Sequence, residues 1–301
     1  MKYITTVLLL FCLSNMHAQG LKLAGVEYLK FPNSAIVDAA DGQEVAFQEF
    51  RAFVNIPIKM KNNKTILLNG LNYDFLQATL QNSPLFGSTD ATKNLHSISY
   101  SLSLIHKWNK WTMLVQVKPT IASDFEDDFS DDDLLFQGTA LLSRRVGKKL
   151  GIGLGAIYTT ATGEPQWLPA IQFKLQTKKN TLDVLLPTHA SYMRHFGARG
   201  KLSIGILGTY QGNYYNVSIS EFPETAPENI EAVKYSRVNI GPVVQYKLTR
   251  IINVKLFGGL CANRTYQFSD VDGVDYEYDS ENSPFFSIGV NMMVPKKVSN
   301  Q

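Results

Sequence analysis

Two histidines and two serines lie close together in the chain and have the side chains that acyl transfer needs. His189, Ser191, His195 and Ser203 form this group, and Asp183 precedes it. In a hydrolase the histidine activates the serine and a carboxylate orients the imidazole ring. The segment lacks a supporting carboxylate pattern, and the chain has no Gly-x-Ser-x-Gly, phosphate-binding loop, His-Glu-x-x-His or CxxC motif. A hydrolase is therefore the least favoured function, and no residue is assigned a catalytic, cofactor-binding or metal-binding role.

Acidic residues cluster in three long segments that the sequence predicts to be loops. Clustered carboxylates suit hard cations, so divalent cations could bridge these loops to lipid phosphates; solvated charge that keeps the loops soluble is the competing interpretation. Segment 270–275 has its glycine in the fourth place and fails the EF-hand pattern, which needs it in the sixth. The clusters are Asp124, Glu126, Asp127, Asp128, Asp131, Asp132 and Asp133; Glu221, Glu224, Glu228 and Glu231; and Asp270, Asp272, Asp275, Glu277, Asp279 and Glu281.

Long strands of alternating polarity must position all of these residues. In segment 233–268 two such strands meet at residues 248–251, and each is longer than the five or so residues of a typical soluble strand. Their length is about what a tilted strand needs to cross a bilayer. In segment 96–107 four serines oppose four apolar side chains, and a face of serines is not a protein core. The fold class predicted is all-β, a transmembrane antiparallel up-and-down β-barrel of about 14 strands, with 12 as the alternative.

Length and composition fit a single barrel. The 301 residues are 45% hydrophobic and 18% charged, and the net charge of +3 is too small to indicate a nucleic-acid partner. No apolar run after residue 20 is long enough for a transmembrane helix. Residues 1–18 have the features of a signal peptide cleaved after Ala18; a lipoprotein at Cys12 is the alternative, but Phe11 precedes it. Residues 19–301 then form one domain in the outer membrane of a Gram-negative cell, with Cys261 as the remaining cysteine and no disulfide.

The polar face of each strand is expected to line the barrel lumen. Mixed charge there can line an aqueous path and tune its selectivity, or it can form an ion-paired network that plugs the barrel. The sequence leaves both possibilities open. The predicted lumen residues are Glu49, Arg51, Lys59, Gln116, Lys118, Lys174, Asp183, Asn239, Gln245, Lys247, Asn253 and Lys255.

Short basic turns alternate with long loops, the pattern of periplasmic turns against extracellular loops. Trp108 and Trp111 flank one basic turn, and a second set of aromatic residues lies near the opposite ends of the strands. Two such sets indicate aromatic girdles at the two membrane interfaces. The second set consists of Tyr158, Trp167, Tyr210, Tyr214, Tyr215, Tyr266, Phe285 and Phe286.

Three features resemble the outer-membrane β-barrel families of unknown function that are common in Bacteroidota. They are the Ala18-Gln19 end of the signal segment, the strand sequence VAFQEFRAFVNIP at 45–57, and the Leu-Leu-Pro break at 185–187. The similarity covers essentially the whole mature chain and implies a location and a fold. It implies no ligand and no catalytic residue.

The leading hypothesis is a monomeric outer-membrane barrel that acts as a passive channel or a transporter for small solutes or lipids. The alternative is a structural or surface-interaction barrel with a blocked lumen. Outer-membrane lipids and the barrel-assembly machinery are the expected partners of either one, with divalent cations possible at the acidic loops.

Overall fold

The chain forms one closed antiparallel β-barrel. The computed structural model describes residues 21–37, 43–81, 91–160, 165–197, 200–218 and 230–294. Fifteen strands are numbered, but β14 and β15 lie end to end in the same place in the wall, between β13 and β1. The barrel therefore has the 14 strands that the sequence predicts. The strands are β1 (Lys22–Ala35), β2 (Glu44–Lys59), β3 (Thr65–Gln81), β4 (Ala91–Trp108), β5 (Trp111–Ser123), β6 (Leu134–Val146), β7 (Leu150–Thr159), β8 (Gln166–Gln176), β9 (Asn180–Leu186), β10 (His189–Phe196), β11 (Leu202–Asn216), β12 (Ile230–Lys247), β13 (Ile252–Asp270), β14 (Asp275–Ser280) and β15 (Ser283–Met293).

Alternation of polar and apolar side chains builds the wall. In β2, Val54, Ile56 and Ile58 are exposed on the outside, whereas Glu49 and Arg51 point inward. Successive residues of a strand face opposite sides, so each strand gives the barrel an apolar exterior and a different interior. Such an exterior is what a barrel presents to lipid. The described residues contain no helix long and apolar enough to cross a bilayer.

The strands differ in length, so the wall differs in height around the barrel. β9 and β10 have 7 and 8 residues, whereas β12 and β13 have 18 and 19. β10 pairs with β11 only as far as His189 and Thr209, and β11 continues beside β12 to Asn216. A tilted strand needs about nine to eleven residues to cross the hydrocarbon core. β9 and β10, here called the low wall, are therefore shorter than a strand that crosses the hydrocarbon core.

A narrower ring of strands closes above the low wall. The end of β11 leaves the low wall and pairs in parallel with the end of β5, through Asn216 and Ser123. The half of the barrel toward the long loops, here called the upper half, is thus enclosed by β1 to β5 and β11 to β14. Nine strands are close to the size at which side chains alone fill a barrel, whereas fourteen leave more room.

Asp124 stabilises the contact between the ends of β5 and β11 through hydrogen bonds and an ion pair. The Ser218 backbone N–H donates to its Oδ2 at 2.9 Å and the Ser218 hydroxyl donates to its Oδ1 at 3.0 Å, while the Lys93 ammonium lies 3.0 Å from Oδ2. Burial by itself raises the pKa of Asp124, but the hydrogen bonds from Ser218 and Lys93 outweigh it, and the pKa is lowered. The ionised carboxylate therefore joins the β5 end to the segment after β11.

Two expectations about the strand ends are wrong. Segment 270–283 is not a long loop: a tight turn at 271–274 leads into β14, which pairs with β13. Tyr266 lies inside the barrel and not in the outer girdle, because the wall has a register shift around residue 237 and Asn263 has a φ of 50°. An irregularity of this kind moves every later side chain to the other face. The signal peptide, the acidic cluster 221–231 except Glu231, and the turn residues 198–199 lie outside the described residues.

Replacing Asp124 with alanine should lower the free energy of unfolding by about 2 kcal/mol at neutral pH, because buried donors lose their acceptor. The folded pKa lies below the unfolded value of about 3.9. The contribution is therefore present above about pH 4 and is lost as the pH falls through the folded pKa. Urea unfolding in detergent at several pH values measures it. Asp127→Ala, at an exposed carboxylate of the same loop, is the control; an equal effect of both changes would contradict the assignment.

Candidate functional site in the barrel interior

The upper half of the interior is filled with apolar side chains. These residues occupy inward positions that polar side chains would take in an open pore, and each is less than a tenth exposed. We call this group the upper core, and its side chains fill the inward positions of the described strands at this height. Its members include Leu29, Phe31, Val45, Phe47, Leu76, Leu95, Ala122, Tyr215, Ile230, Tyr235, Phe257, Tyr266 and Phe285.

Aromatic rings form the centre of the upper core. The Phe47 ring lies 4.9 Å from Tyr235 and 5.2 Å from Tyr266, and the planes of the rings are nearly parallel. The Arg264 guanidinium lies against the Phe47 and Tyr266 rings and donates to the hydroxyls of Ser34 and Ser283 at 2.6 and 2.7 Å. Stacked rings with a cation on their faces add attraction to the area that they bury. The blockage is therefore a packed core that joins several strands.

A charged layer lies directly beneath the upper core. Glu49 forms an ion pair with Arg237 through Oε1 and accepts from Arg51 through Oε2 at 2.6 Å. Arg51 also lies 3.7 Å from Asp74, and the Gln211 side-chain oxygen accepts from both arginines at 3.2 and 3.3 Å. The Arg237 guanidinium lies 4.4 Å from the Phe31 ring centroid. The side chains of Glu49 and Arg237 are 2% and 1% exposed, whereas those of Arg51 and Asp74 are 22% and 31% exposed, so the Glu49–Arg237 pair is the part of this layer that is shielded from water.

The predicted lumen residues lie on the inward-facing register of their strands but do not form one group. Glu49 and Arg51 belong to the charged layer, and Asn239 joins it through Gln211. Lys174 and Asp183 form an ion pair on neighbouring strands. Gln116 donates to Ser103 at 3.0 Å, and Lys255 pairs with Glu27 at 2.6 Å. Lys118 is half-buried on β5, two residues beyond Gln116. The remaining residues lie toward the short turns, with Asn253 buried and Lys59, Gln245 and Lys247 half-buried.

Below the charged layer more of the inward side chains are polar, and some of them are half-buried. Gln116, Lys118, Thr139 and Gln172 face inward and are all half-buried, in contrast to the fully buried residues above. They lie on strands that precede the low wall. We call the interior below the charged layer the lower chamber.

Four residues of the ion-paired network escaped prediction. Arg237 and Gln211 carry the network, and Arg237 has the same alternation as the predicted Asn239, two residues further on. Asp74 and Glu27 lie on strands whose alternation in the sequence is weak. The sequence also holds a sign of the upper core, because Phe47 lies on the same face of β2 as Glu49 and Arg51. An aromatic residue in register with charged residues indicates a change of environment along one strand.

The histidine and serine group is partly brought together. His195 contacts the Ser203 hydroxyl through Nδ1 and the Thr181 hydroxyl through Nε2, both at 2.8 Å. Both ring nitrogens of His195 thus contact hydroxyl groups, whereas in a triad one nitrogen contacts the nucleophile and the other contacts a carboxylate. Ser203 is buried in β11, which has paired strands on both sides. The backbone N–H groups near it are therefore used in the hydrogen bonds of the sheet and are not available to stabilise an oxyanion. His189 lies 4.0 Å from Asp183 and is separate from this pair.

The aromatic girdle toward the long loops is smaller than the sequence indicates. Trp167 is 70% exposed and Phe286 is 50% exposed on the outside of the wall. Tyr215, Tyr266 and Phe285 instead belong to the upper core, where they are almost completely buried. The girdle assignment is therefore wrong for these three residues, because aromatic side chains serve both lipid interfaces and packed interiors.

The acidic segments use several carboxylates within the protein itself. Asp133 accepts from the Ser130 backbone N–H at 2.9 Å and from Asn216 at 3.1 Å. Asp270 accepts backbone N–H groups of the turn before β14, at 3.0 and 2.8 Å. No three acidic, histidine or cysteine side chains are gathered to hold a metal ion in the part of the chain that the structure describes. Divalent-cation binding at the loops stays a prediction.

These features define a class of protein: a closed antiparallel barrel with an apolar exterior, the fold of outer-membrane β-barrels. The chain belongs to the family described as a domain of unknown function, DUF6268, whose model matches residues 14–295. No curated protein sequence matches the chain.

Solved structures with similar folds are outer-membrane barrels of low sequence identity. An outer membrane channel from Pseudomonas putida F1 is 11% identical, with 93% of this chain and 99% of that chain covered and a TM-score of 0.43. The transport unit of the autotransporter AIDA-I from Escherichia coli is 10% identical, with 96% and 97% covered and a TM-score of 0.40. The β domain of the Bordetella autotransporter BrkA is 8% identical, with 91% and 98% covered and a TM-score of 0.39.

Replacing Glu49 with alanine should lower the free energy of unfolding by about 3–5 kcal/mol, because Arg237 is left as a buried charge without its partner. Changing both residues together, Glu49→Leu with Arg237→Met, should restore much of this loss. Urea unfolding of the folded barrel in detergent measures both. Glu27→Ala is the control because its pair with Lys255 is more exposed, so about 1 kcal/mol is expected. A double variant no more stable than Glu49→Ala would show that the charges do not act as a pair.

Proposed function

We propose that this protein is an outer-membrane transporter in which small amphipathic solutes follow a side route. A solute enters the lower chamber from the short-turn end, which faces the periplasm, and passes over the low wall into the lipid layer. The observation that carries the proposal is the contact of β11 with β5 above strands that end after 7 and 8 residues. The ring above is filled, and the space below it ends at a low rim.

The upper core supports a side route over an axial pore. Tyr215, Phe31 and Cys261 are 0% exposed, and the charged layer beneath them is ion-paired. Opening an axial path would require separating the buried Glu49–Arg237 pair and unstacking the rings above it. Both steps are unfavourable, and separating the buried ion pair is the more costly of the two. A solute leaving over the low wall disturbs neither group.

The basic turns support the assignment of the short-turn end to the periplasm. Barrels of this class have short periplasmic turns and longer extracellular loops. The turns between β4 and β5, β6 and β7, and β8 and β9 contain two or three residues each, and lysines occupy all three. The described long loop between β5 and β6 is acidic instead.

Filling the lower chamber beneath the low rim should slow transport. Leu185 and Leu186 are neighbours at the end of β9, with Leu185 facing the chamber and Leu186 exposed on the outside. Leu185→Trp should reduce the efflux of naphthalene-1-sulfonate from proteoliposomes about tenfold, and Leu186→Trp should leave efflux unchanged. Fluorescence of the released anion measures both. Equal efflux from the two folded variants, checked by heat-modifiable migration on gels, would overturn the side route.

A barrel with a blocked interior and no transport is the second candidate, and the packed upper core favours it. Planar bilayer recordings address the blockage directly. The double variant Phe47→Ala with Tyr266→Ala removes two stacked rings and should raise single-channel conductance above that of the wild-type protein. An unchanged conductance would show that these rings do not close the axial path. Absence of naphthalene-1-sulfonate efflux from the folded wild-type protein would support the second candidate.

A further inference from the structure

Five apolar side chains lie on the inner face beside the low wall, among polar ones such as Thr139 and Gln172, and inward apolar groups are unusual in the interior of an outer-membrane barrel. Leu141, Ile157 and Ala170 are buried there, and Leu114 and Leu185 are half-buried against them. Five consecutive strands, β5 to β9, contribute one residue each. This apolar belt is separate from the upper core and extends from β5 to the low wall.

Lys118 stands at the upper edge of the apolar belt and forms no ion pair with the residues that the structure describes. Lys118 is two residues beyond Gln116 on β5. Gln116 lies beside Thr139 of β6, and Thr139 lies beside Ile157 of β7, which belongs to the belt. Two residues along a strand span about 7 Å. The Lys118 ammonium is therefore within reach of a ligand that lies on the belt.

The other cations at this height are already engaged. Arg51 and Arg237 bind Glu49, and Lys174 binds Asp183. Lys118 makes no ion pair within 4.0 Å with any residue that the structure describes. Its charge interacts with Asp74 and Arg51, and Asp74 is itself bound to Arg51 at 3.7 Å. The charged layer together with Lys118 contains three cations and two carboxylates, so the surplus charge at the top of the chamber is positive.

We infer that the lower chamber holds a binding site for an amphipathic monocarboxylate, with its carboxylate on the Lys118 ammonium and its hydrocarbon part on the apolar belt. This inference rests on the proposed function, because it names the solute class that the chamber accepts. A single ammonium presents a point charge and suits one carboxylate, whereas a phosphate is more often held by several donors. The half-buried faces of Leu114 and Leu185 supply the apolar contact. The site joins a cation to an apolar surface that ends at the exit.

Equilibrium dialysis of radiolabelled decanoate against the full-length barrel in lipid nanodiscs tests the inference, with empty nanodiscs as the background. Lys118→Gln should weaken decanoate binding about tenfold, the equivalent of about 1.4 kcal/mol. Lys118→Arg, which keeps the charge, should restore binding to within about threefold. Leu114→Gln should also weaken it, because a half-buried apolar contact becomes polar. Decyltrimethylammonium, with the same chain and the opposite charge, should bind at the background level.

The matched control is Lys59→Gln, which removes an inward-facing lysine on β2 near the short turns and away from the apolar belt. Its decanoate affinity should equal that of the wild-type protein. Equal affinity of folded Lys118→Gln and wild-type protein overturns the inference, as does equal binding of decanoate and decyltrimethylammonium. Heat-modifiable migration on gels shows that each variant is folded.

These experiments test the carboxylate site and the side route independently of each other. If naphthalene-1-sulfonate efflux depends on Leu185 but decanoate affinity does not depend on Lys118, the side route stands and the carboxylate site is wrong. If decanoate binding depends on Lys118 but no efflux occurs, the site exists and the transport proposal is wrong.

Discussion

The buried ion pair between Glu49 and Arg237 is the interaction on which the interior depends. It joins β2 to β12, which are not neighbours in the wall, and both side chains are shielded from water. Buried ions are costly unless their remaining hydrogen-bonding groups are satisfied. Arg51, Gln211 and the Phe31 ring lie against the pair and reduce that cost. The upper core must therefore stay packed, because water reaching the pair would weaken an attraction that depends on its dry surroundings.

The closure of β11 onto β5 explains how one barrel contains both a filled and an accessible interior. Fourteen strands enclose more space than inward side chains of ordinary size can fill, whereas the ring of nine does not. When β9 and β10 end early, β11 is freed from its neighbour and can cross to β5. Asp124, Ser218 and Lys93 then hold the junction from the loop side. The short strands and the packed upper core are consequences of the same change in wall height.

Alternation alone predicted the strands because a residue's face depends only on its neighbours along the chain. The 14-strand barrel and the inward register of residues such as Glu49 and Lys174 follow from that local rule. Arg237 and the upper core depend on which strands meet across the interior, and a single sequence holds no record of such contacts. Tyr266 was misplaced because the register shift near residue 237 and the positive φ of Asn263 interrupt the alternation. Alternation predicts the face of a residue but not what fills the space beyond it.

The inner surface changes its chemistry with height and with position around the wall. It is apolar at the top, ionic below, and polar in the lower chamber, except along the apolar belt from β5 to β9. A passive pore for hydrophilic solutes gains nothing from an apolar belt, because an apolar surface offers water-soluble molecules no partners. The belt ends at Leu185, where the wall is lowest, and the neighbouring Leu186 is exposed on the outside. In the proposed side route, the five apolar side chains of the belt would lower the cost of moving a hydrocarbon group out of water between the chamber and the low wall, which an axial pore does not provide.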